Sequence, residues 1–218
     1  MTFGQMMDGS YRGKNKLGGV IISPLHILTV AHPFVSFVYT RFQIRSVLVD
    51  GSFVLSSCMD GHDWAIVELE WPLIFTDRVR PICLPRPDQP IEEILTVFGW
   101  GRVNTFYESH PYLRETPMRL DPDCRAPWSD DMPTKAFDYL CAKSLKPDDY
   151  DSPRTCYGDS GSGMQQKDKN GIATLVGLTS FGTKGCPPNE LARFTRVDRY
   201  LYEICVITGV CYTLDYTD

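Results

Sequence analysis

A serine between glycines, with a cysteine four residues before it, is the part of this chain best suited to covalent chemistry. The run is Cys156-Tyr157-Gly158-Asp159-Ser160-Gly161. A serine hydroxyl is a weak nucleophile. It needs a base to take its proton, a group that orients the base, and hydrogen-bond donors for the oxyanion that forms. Small neighbours leave room for a carbonyl and leave backbone N–H groups free to face it. The other parts lie upstream: a histidine in Thr29-Val30-Ala31-His32, and an aspartate in Asp63-Trp64-Ala65-Ile66-Val67-Glu68-Leu69. Taken singly each has a plainer reading, His32 as a core histidine, Asp63 as a turn cap, Ser160 as a turn serine. In the order His, Asp, Ser they point to acyl transfer through a serine.

Strands and loops must carry these side chains. Short apolar or β-branched runs at Gly19 to Ile22, Ile27 to Val30, Phe42 to Val49, Trp64 to Leu69, Ile94 to Phe98 and Ala173 to Phe181 read as strands. The 17 Gly and 16 Pro punctuate them, as in a loop-rich all-β protein. One helix is expected: Val197, Tyr200, Leu201, Ile204 and Cys205 keep the i, i+3, i+4, i+7, i+8 pattern, and Gly209 can stop it. Trp100 in Phe98-Gly99-Trp100-Gly101 reads as a packing residue, and His26, His62 and His110 as exposed. The proline-rich stretch Pro81 to Pro90 divides the chain. We therefore expect a single domain over 1–218, with one lobe over about 1–85 and a second over about 86–218.

Composition narrows the function. A net charge of −5 and a pI near 5.4 argue against nucleic acid as a partner. The acids at Asp148, Asp149 and Asp151 read as solvated surface. No stretch has the roughly 18–20 apolar residues of a membrane span. Eight cysteines point to an oxidising compartment. No C-x-x-C or H-x-x-x-H pair suggests zinc, and no cofactor is expected. The start, Met1 to Asp8, has no basic segment followed by an apolar one, so we expect the natural chain to begin upstream of it.

These residues together resemble the chymotrypsin-like (trypsin-fold) serine proteases. The resemblance runs from about Leu17 to Ile204. It rests on ordered motifs: Leu17-Gly18-Gly19-Val20-Ile21 before the His32 run, Arg80-Pro81-Ile82-Cys83-Leu84-Pro85 after the Asp63 run, Phe98-Gly99-Trp100-Gly101, the Ser160 run, and Ser180-Phe181-Gly182 with Cys186. It implies two antiparallel β-barrels packed side by side, with a C-terminal α-helix docked outside. The first barrel is expected to be short of a strand or a long loop, because His32 and Asp63 lie close in sequence. The resemblance implies Ser160 as nucleophile, His32 as general base and Asp63 as its orienting group. It gives the oxyanion hole to the N–H groups of Gly158 and Ser160, and a specificity pocket to Arg154, Ser180, Gly182 and Ala192.

The family pattern is also broken in places. The resemblance implies that a free ammonium meets Asp159, the activation partner. No such start is present here, so the resemblance implies a zymogen with Asp159 unpartnered and its loop misformed. Ser162 stands where the family has a second glycine, which implies crowding. Leu17 and Pro33 fill both positions of one family disulfide, and Tyr112 and Gln166 both ends of a second. The resemblance pairs Cys156 with Cys186 and Cys124 with Cys141. Cys58, Cys83, Cys205 and Cys211 are left open, with Cys83 at the position that joins the family's propeptide. Arg154 at the pocket floor implies an acidic residue before the scissile bond, with the guanidinium otherwise meeting water or an acid such as Asp151. The implied function is a secreted serine endopeptidase acting on protein or peptide substrates and open to protein inhibitors. The alternative is an inactive homologue that binds a partner through the same surface.

Overall fold

The computed structural model describes residues 2–7, 10–35, 44–56, 60–103, 112–124 and 137–211. His110 and Cys58 lie outside the described residues. Strands β1 (Thr2–Met7) and β2 (Ser10–Lys16) pair as an antiparallel hairpin. Four strands form the first sheet: β3 (Val20–Ile21), β4 (His26–Thr29), β5 (Ile44–Val49) and β6 (Ala65–Leu69). Their order is β3-β4-β6-β5, and the sheet does not close. Two short helices belong to this half. Helix α1 (His32–Val35) follows β4, and α2 (Gly51–Leu55) follows β5, capped by Asp50, whose carboxylate accepts from the Ser52 N–H at 2.7 Å. Phe53 of α2 is fully buried in a cluster with Ala31 and Ala65, which lie one residue from His32 and two from Asp63 in sequence.

The second half closes. Strands β7 (Ile94–Gly99), β8 (Arg114–Asp121), β9 (Tyr139–Ser144), β10 (Gly163–Lys167), β11 (Ala173–Phe181) and β12 (Ala192–Arg196) form a barrel in the order β10-β11-β12-β9-β8-β7, with β7 paired back to β10. Leu95 and Val97 alternate inward on β7, and Met118, Leu140, Met164, Val176 and Phe194 fill the interior with them. Closing a sheet removes its edges.

β11 explains how the halves join. It is buried along almost its whole length. Val176 faces the barrel interior, while Leu175 and Leu178 join Leu28 and Ile66 of the first sheet and Val30 and Trp64 beside its strands. A strand with apolar partners on both faces reads as an unbroken apolar run. The same cluster takes in Val197, Tyr200 and Ile204. They come from a 3-10 turn (Val197–Arg199), the joining Tyr200 and helix α3 (Leu201–Thr208), which ends on Gly209 at φ 72°. The helix has the expected place in sequence and docks from the outside: Ile204 is fully buried in the core shared by the two sheets, while Tyr202 and Val206 are exposed on its outer face.

Two smaller expectations are corrected. Trp100 is 43% exposed rather than packed. Tyr112 and Gln166 are not neighbours. Arg114 pairs with Gly99 on one side of β7, while Gln165 pairs with Thr96 on the other. Gln166 is buried and tethers the linker, accepting from the Glu92 N–H at 3.0 Å and donating to the Pro90 carbonyl at 2.9 Å.

Candidate active site

The site forms where the open sheet meets the barrel. β4 ends at Thr29, and the chain turns through Ala31 into α1, so His32 stands at the start of that helix. Asp63 lies two residues before the start of β6 and is fully buried. Its Oδ1 accepts the backbone N–H groups of Ala31 at 2.7 Å and His32 at 2.8 Å. Its Oδ2 accepts from the Ser180 hydroxyl at 2.5 Å and lies 2.8 Å from His32 Nδ1. A buried carboxylate is tolerable only when its lone pairs are filled, and these are. An anion at Oδ2 makes Nδ1 the protonated nitrogen and leaves Nε2 as an acceptor. That acceptor is 3.1 Å from Ser160 Oγ. The Phe181 ring lies 5.1 Å from the imidazole.

Asp63 is held from the barrel side as well. The Thr195 hydroxyl donates to its carbonyl at 2.8 Å. The chain enters Asp63 through Gly61 at φ 84° and His62 at φ 60°, a left-handed conformation that costs a side chain energy. Buried Asp138 holds that turn, accepting the His62 N–H at 2.8 Å and the Tyr200 hydroxyl at 2.5 Å. Asp138 and Thr195 were not singled out from the sequence; an acid heading the apolar run Tyr139 to Ala142 was the available signal. His62 is not simply exposed: its Nδ1 is 3.2 Å from Asp50 Oδ2, and its ring packs edge-on against Phe137 and Tyr200. His26 is half-buried too, 2.8 Å from the Ser23 hydroxyl.

Ser160 lies on a loop pinned to both halves. Its carbonyl accepts the Gly18 N–H at 2.7 Å, and the Gly161 N–H donates to the Thr179 carbonyl at 2.8 Å. Gly161 has φ 76°, and a Cβ there would lie 2.3 Å from the Gly18 carbonyl oxygen. Ser162 is accommodated because Gly18 is a glycine: a Cβ on Gly18 would lie 2.4 Å from Ser162 Oγ. The N–H groups of Gly158 and Ser160 have no hydrogen-bond partner among the described residues. A cavity of about 320 Å³ opens beside Ser160 and His32, lined also by Arg154, Ser180, Gly182 and Ala192. A Cβ on Gly182 would meet nothing within 4 Å, so that wall is open.

A match to the family described as Trypsin covers residues 5–204. The chain belongs to the trypsin family. It is similar to the Proclotting enzyme of Tachypleus tridentatus, with 28% identity over 92% of this chain and 60% of that protein. It is similar to CLIP domain-containing serine protease B15 of Anopheles gambiae, with 27% identity over 88% of this chain and 61% of that protein. With Transmembrane protease serine 11C of Mus musculus it shares 25% identity over 90% of this chain and 48% of that protein. The chain spans about three fifths or less of the length of these relatives. Family and relatives make it serine protease-like.

Within this trypsin-family frame two expectations change and one open question closes in part. Asp159 is not without partners. It is buried, its Oδ1 accepts the Gly101 N–H at 2.8 Å, and its Oδ2 accepts the Cys156 N–H at 3.0 Å. Burial pushes its carboxyl above the usual range, against the pull of the two amides and the Arg114 guanidinium. Arg154 neither swings into solvent nor pairs with Asp151. Only 3% exposed, it donates to the carbonyls of Cys186, Tyr150 (2.5 Å) and Ser152 (2.9 Å), and its guanidinium lies 5.1 Å from the Tyr150 ring centre. One Nη remains unpartnered among the described residues. Of the cysteines left open, Cys205 bonds Cys211, and Cys83 is exposed and unbonded. The other disulfides are Cys124–Cys141 and Cys156–Cys186.

Proposed function

We propose that this chain is the catalytic domain of a serine endopeptidase. One observation carries the reading: the unbroken hydrogen-bond chain Asp63–His32–Ser160, ending beside two free amides and a cavity. Ser160 Oγ attacks the substrate carbonyl as Nε2 of His32 takes its proton. The oxyanion accepts from the Gly158 and Ser160 N–H groups. Nε2–H then protonates the leaving amine, leaving an acyl ester on Ser160. Water, deprotonated by the same nitrogen, hydrolyses that ester. Asp63 holds the imidazole in register and balances the imidazolium. A fluorophosphonate probe tests this: wild type is expected to be labelled at Ser160 and Ser160→Ala not at all. A folded wild type that takes no label would make the site a binding module.

Arg154 suggests the substrate class. A guanidinium carries five donors and stays charged, and here one Nη has no partner. Its charge rests on carbonyl dipoles, a ring face and the field of the nearby Asp151 and Asp149. Glu190 also lines the cavity but interacts with Arg193. An Asp or Glu side chain before the scissile bond would pair with Arg154 at the cavity wall. A peptide-library profile in which cleavage follows Lys or Arg would overturn this. Three disulfides suit an oxidising, extracellular setting. Among the described residues no helix is long and apolar enough to cross a membrane. The partners are protein substrates and inhibitors that enter the cleft.

A further inference from the structure

We propose that Arg114 is the counter-cation of Asp159 and that, through it, β8 sets the loop presenting Ser160 and the two free amides. The role rests on Ser160 being the nucleophile; the ion pair itself does not.

The loop is folded around one carboxylate. The Asp159 N–H donates to the Cys156 carbonyl at 3.0 Å, and the Ser162 N–H donates to the Asp159 carbonyl at 2.9 Å. The side chain turns inward to accept from Cys156 on one oxygen and Gly101 on the other. The Arg102 N–H donates to the Tyr157 carbonyl at 2.9 Å, so the Gly101–Arg102 segment lies along the loop. Room has been left for the carboxylate. A Cβ on Gly99 would lie 2.0 Å from Asp159 Oδ1, and one on Gly101 would lie 2.4 Å from its Cγ. This accounts for the glycines of Phe98-Gly99-Trp100-Gly101, whose tryptophan is half out in solvent.

Two amides supply only partial positive charge, and a buried anion needs more. Arg114 supplies it. One Nη lies 3.9 Å from Asp159 Oδ2, and the side chain is 17% exposed. The same Nη donates to the carbonyls of Gly101 at 3.0 Å and Arg102 at 2.9 Å. The guanidinium is thus fixed to the segment that holds the other carboxylate oxygen. Its Nε is buried and has no partner among the described residues. Arg114 sits on β8 opposite Gly99 of β7, on barrel backbone rather than on a loose loop.

Among the described residues no other charge competes. Glu115, next on β8, is exposed, as are the Arg102 side chain and the Tyr157 phenol on the loop. Leu17, Gly18 and Gly19, which approach the loop from the first sheet, carry no ionisable side chain. Asp159 has no other ion pair among the described residues. The resemblance assigns this charge to a terminal ammonium, a group that titrates near pH 8. A guanidinium does not titrate in the working range, so the Arg114-held loop keeps its shape into alkali.

The test compares the 218-residue wild type with Arg114→Gln and Arg114→Lys. It reads kcat/KM on a peptide ester from pH 6 to 11 and backbone hydrogen exchange at Asp159 and Ser162. Wild type is expected to hold a flat alkaline plateau. Arg114→Lys should keep most of its activity at pH 7.5 and gain an alkaline limb as the ammonium deprotonates, around its ordinary value of about 10.4, with burial lowering that value and the Asp159 carboxylate raising it. Arg114→Gln should lose roughly 100-fold, since a loop misplaced by about an ångström costs that much. It should recover in part with added guanidinium but not with equal sodium chloride. Exchange at Asp159 and Ser162 should quicken in Arg114→Gln while β11 stays protected, which separates loop loosening from unfolding. Unchanged activity and exchange in Arg114→Gln would overturn the proposal. So would equal losses in Gln and Lys with neither rescue nor a new limb. A wild type inert to fluorophosphonate would sink the catalytic reading alone, because the exchange comparison still decides the ion pair.

Discussion

Replacing Asp63 with asparagine changes one atom and inverts the hydrogen bonding around His32. Oδ1 accepts two backbone amides, from Ala31 and His32. The asparagine oxygen must stay there, because turning the amide would set its NH₂ against two N–H donors. The NH₂ group therefore replaces Oδ2, facing Ser180 Oγ and His32 Nδ1. Ser180 can rotate to accept. His32 can accept only by moving its proton to Nε2, and Nε2–H is then no base for Ser160. Keeping the productive tautomer leaves donors opposed in a buried site, at about 1–3 kcal/mol. The imidazolium formed in the reaction also loses its anion, worth about 4 kcal/mol for charges roughly 4 Å apart at an effective dielectric near 20. The sum is roughly 5–7 kcal/mol; the amide dipole that remains trims the loss to about 10⁴-fold in rate. The assay is the fluorophosphonate labelling rate of Asp63→Asn against wild type at pH 7.5, with thermal melting as a check on folding. A well-folded Asp63→Asn labelling within about tenfold of wild type would refute the reasoning.

Other perturbations follow from the same contacts. Arg154→Ala should remove any preference for Asp or Glu before the cleaved bond while leaving Ser160 labelling largely intact, which a substrate-library profile beside a labelling assay measures. Gly101→Ala puts a Cβ 2.4 Å from the Asp159 carboxyl; labelling should fall about 100-fold, with melting lowered by overpacking of roughly 1–3 kcal/mol. Tyr200→Phe strips a donor from fully buried Asp138 and should cost roughly 1.5–3 kcal/mol in denaturant unfolding. Replacing both Cys156 and Cys186 by serine opens a bridge of sequence separation 30 and should cost on the order of 3 kcal/mol. Burial raises the Asp159 carboxyl above 3.8, so the folded chain binds more protons than the unfolded one between that pH and the raised folded value. This contribution to stability is full below 3.8 and is lost as pH rises through the folded value. Unfolding curves across pH 4–7 should lose that slope in Asp159→Asn.

The candidate site residues Ser160, His32 and Asp63 and the strands with unbroken apolar runs are legible from local pattern. β11 is readable because it is buried on both faces, and helix α3 because five apolar residues keep a helical period and Gly209 ends it. β8, β10 and β12 are not. Arg114–Asp121, Gly163–Lys167 and Ala192–Arg196 put polar or charged residues among the apolar ones. A closed barrel offers them hydrogen-bond partners on both sides, which a short window of sequence cannot register.

Order and residue type along the chain therefore carried the chemistry: a serine among glycines, a histidine after an apolar strand, an aspartate before another, and cysteines that suit an oxidising setting. Local sequence carries these because each depends on its own neighbours for backbone shape and strand pattern. The partners of the charges were decided by the fold. Arg114 meets Asp159 from 45 residues away, Asp138 holds the turn before Asp63 from 76 residues beyond His62, and Arg154 rests on backbone carbonyls instead of an ion pair with Asp151. Electrostatic partnership depends on distance and burial, and both are set only when the barrel closes and packs on the open sheet.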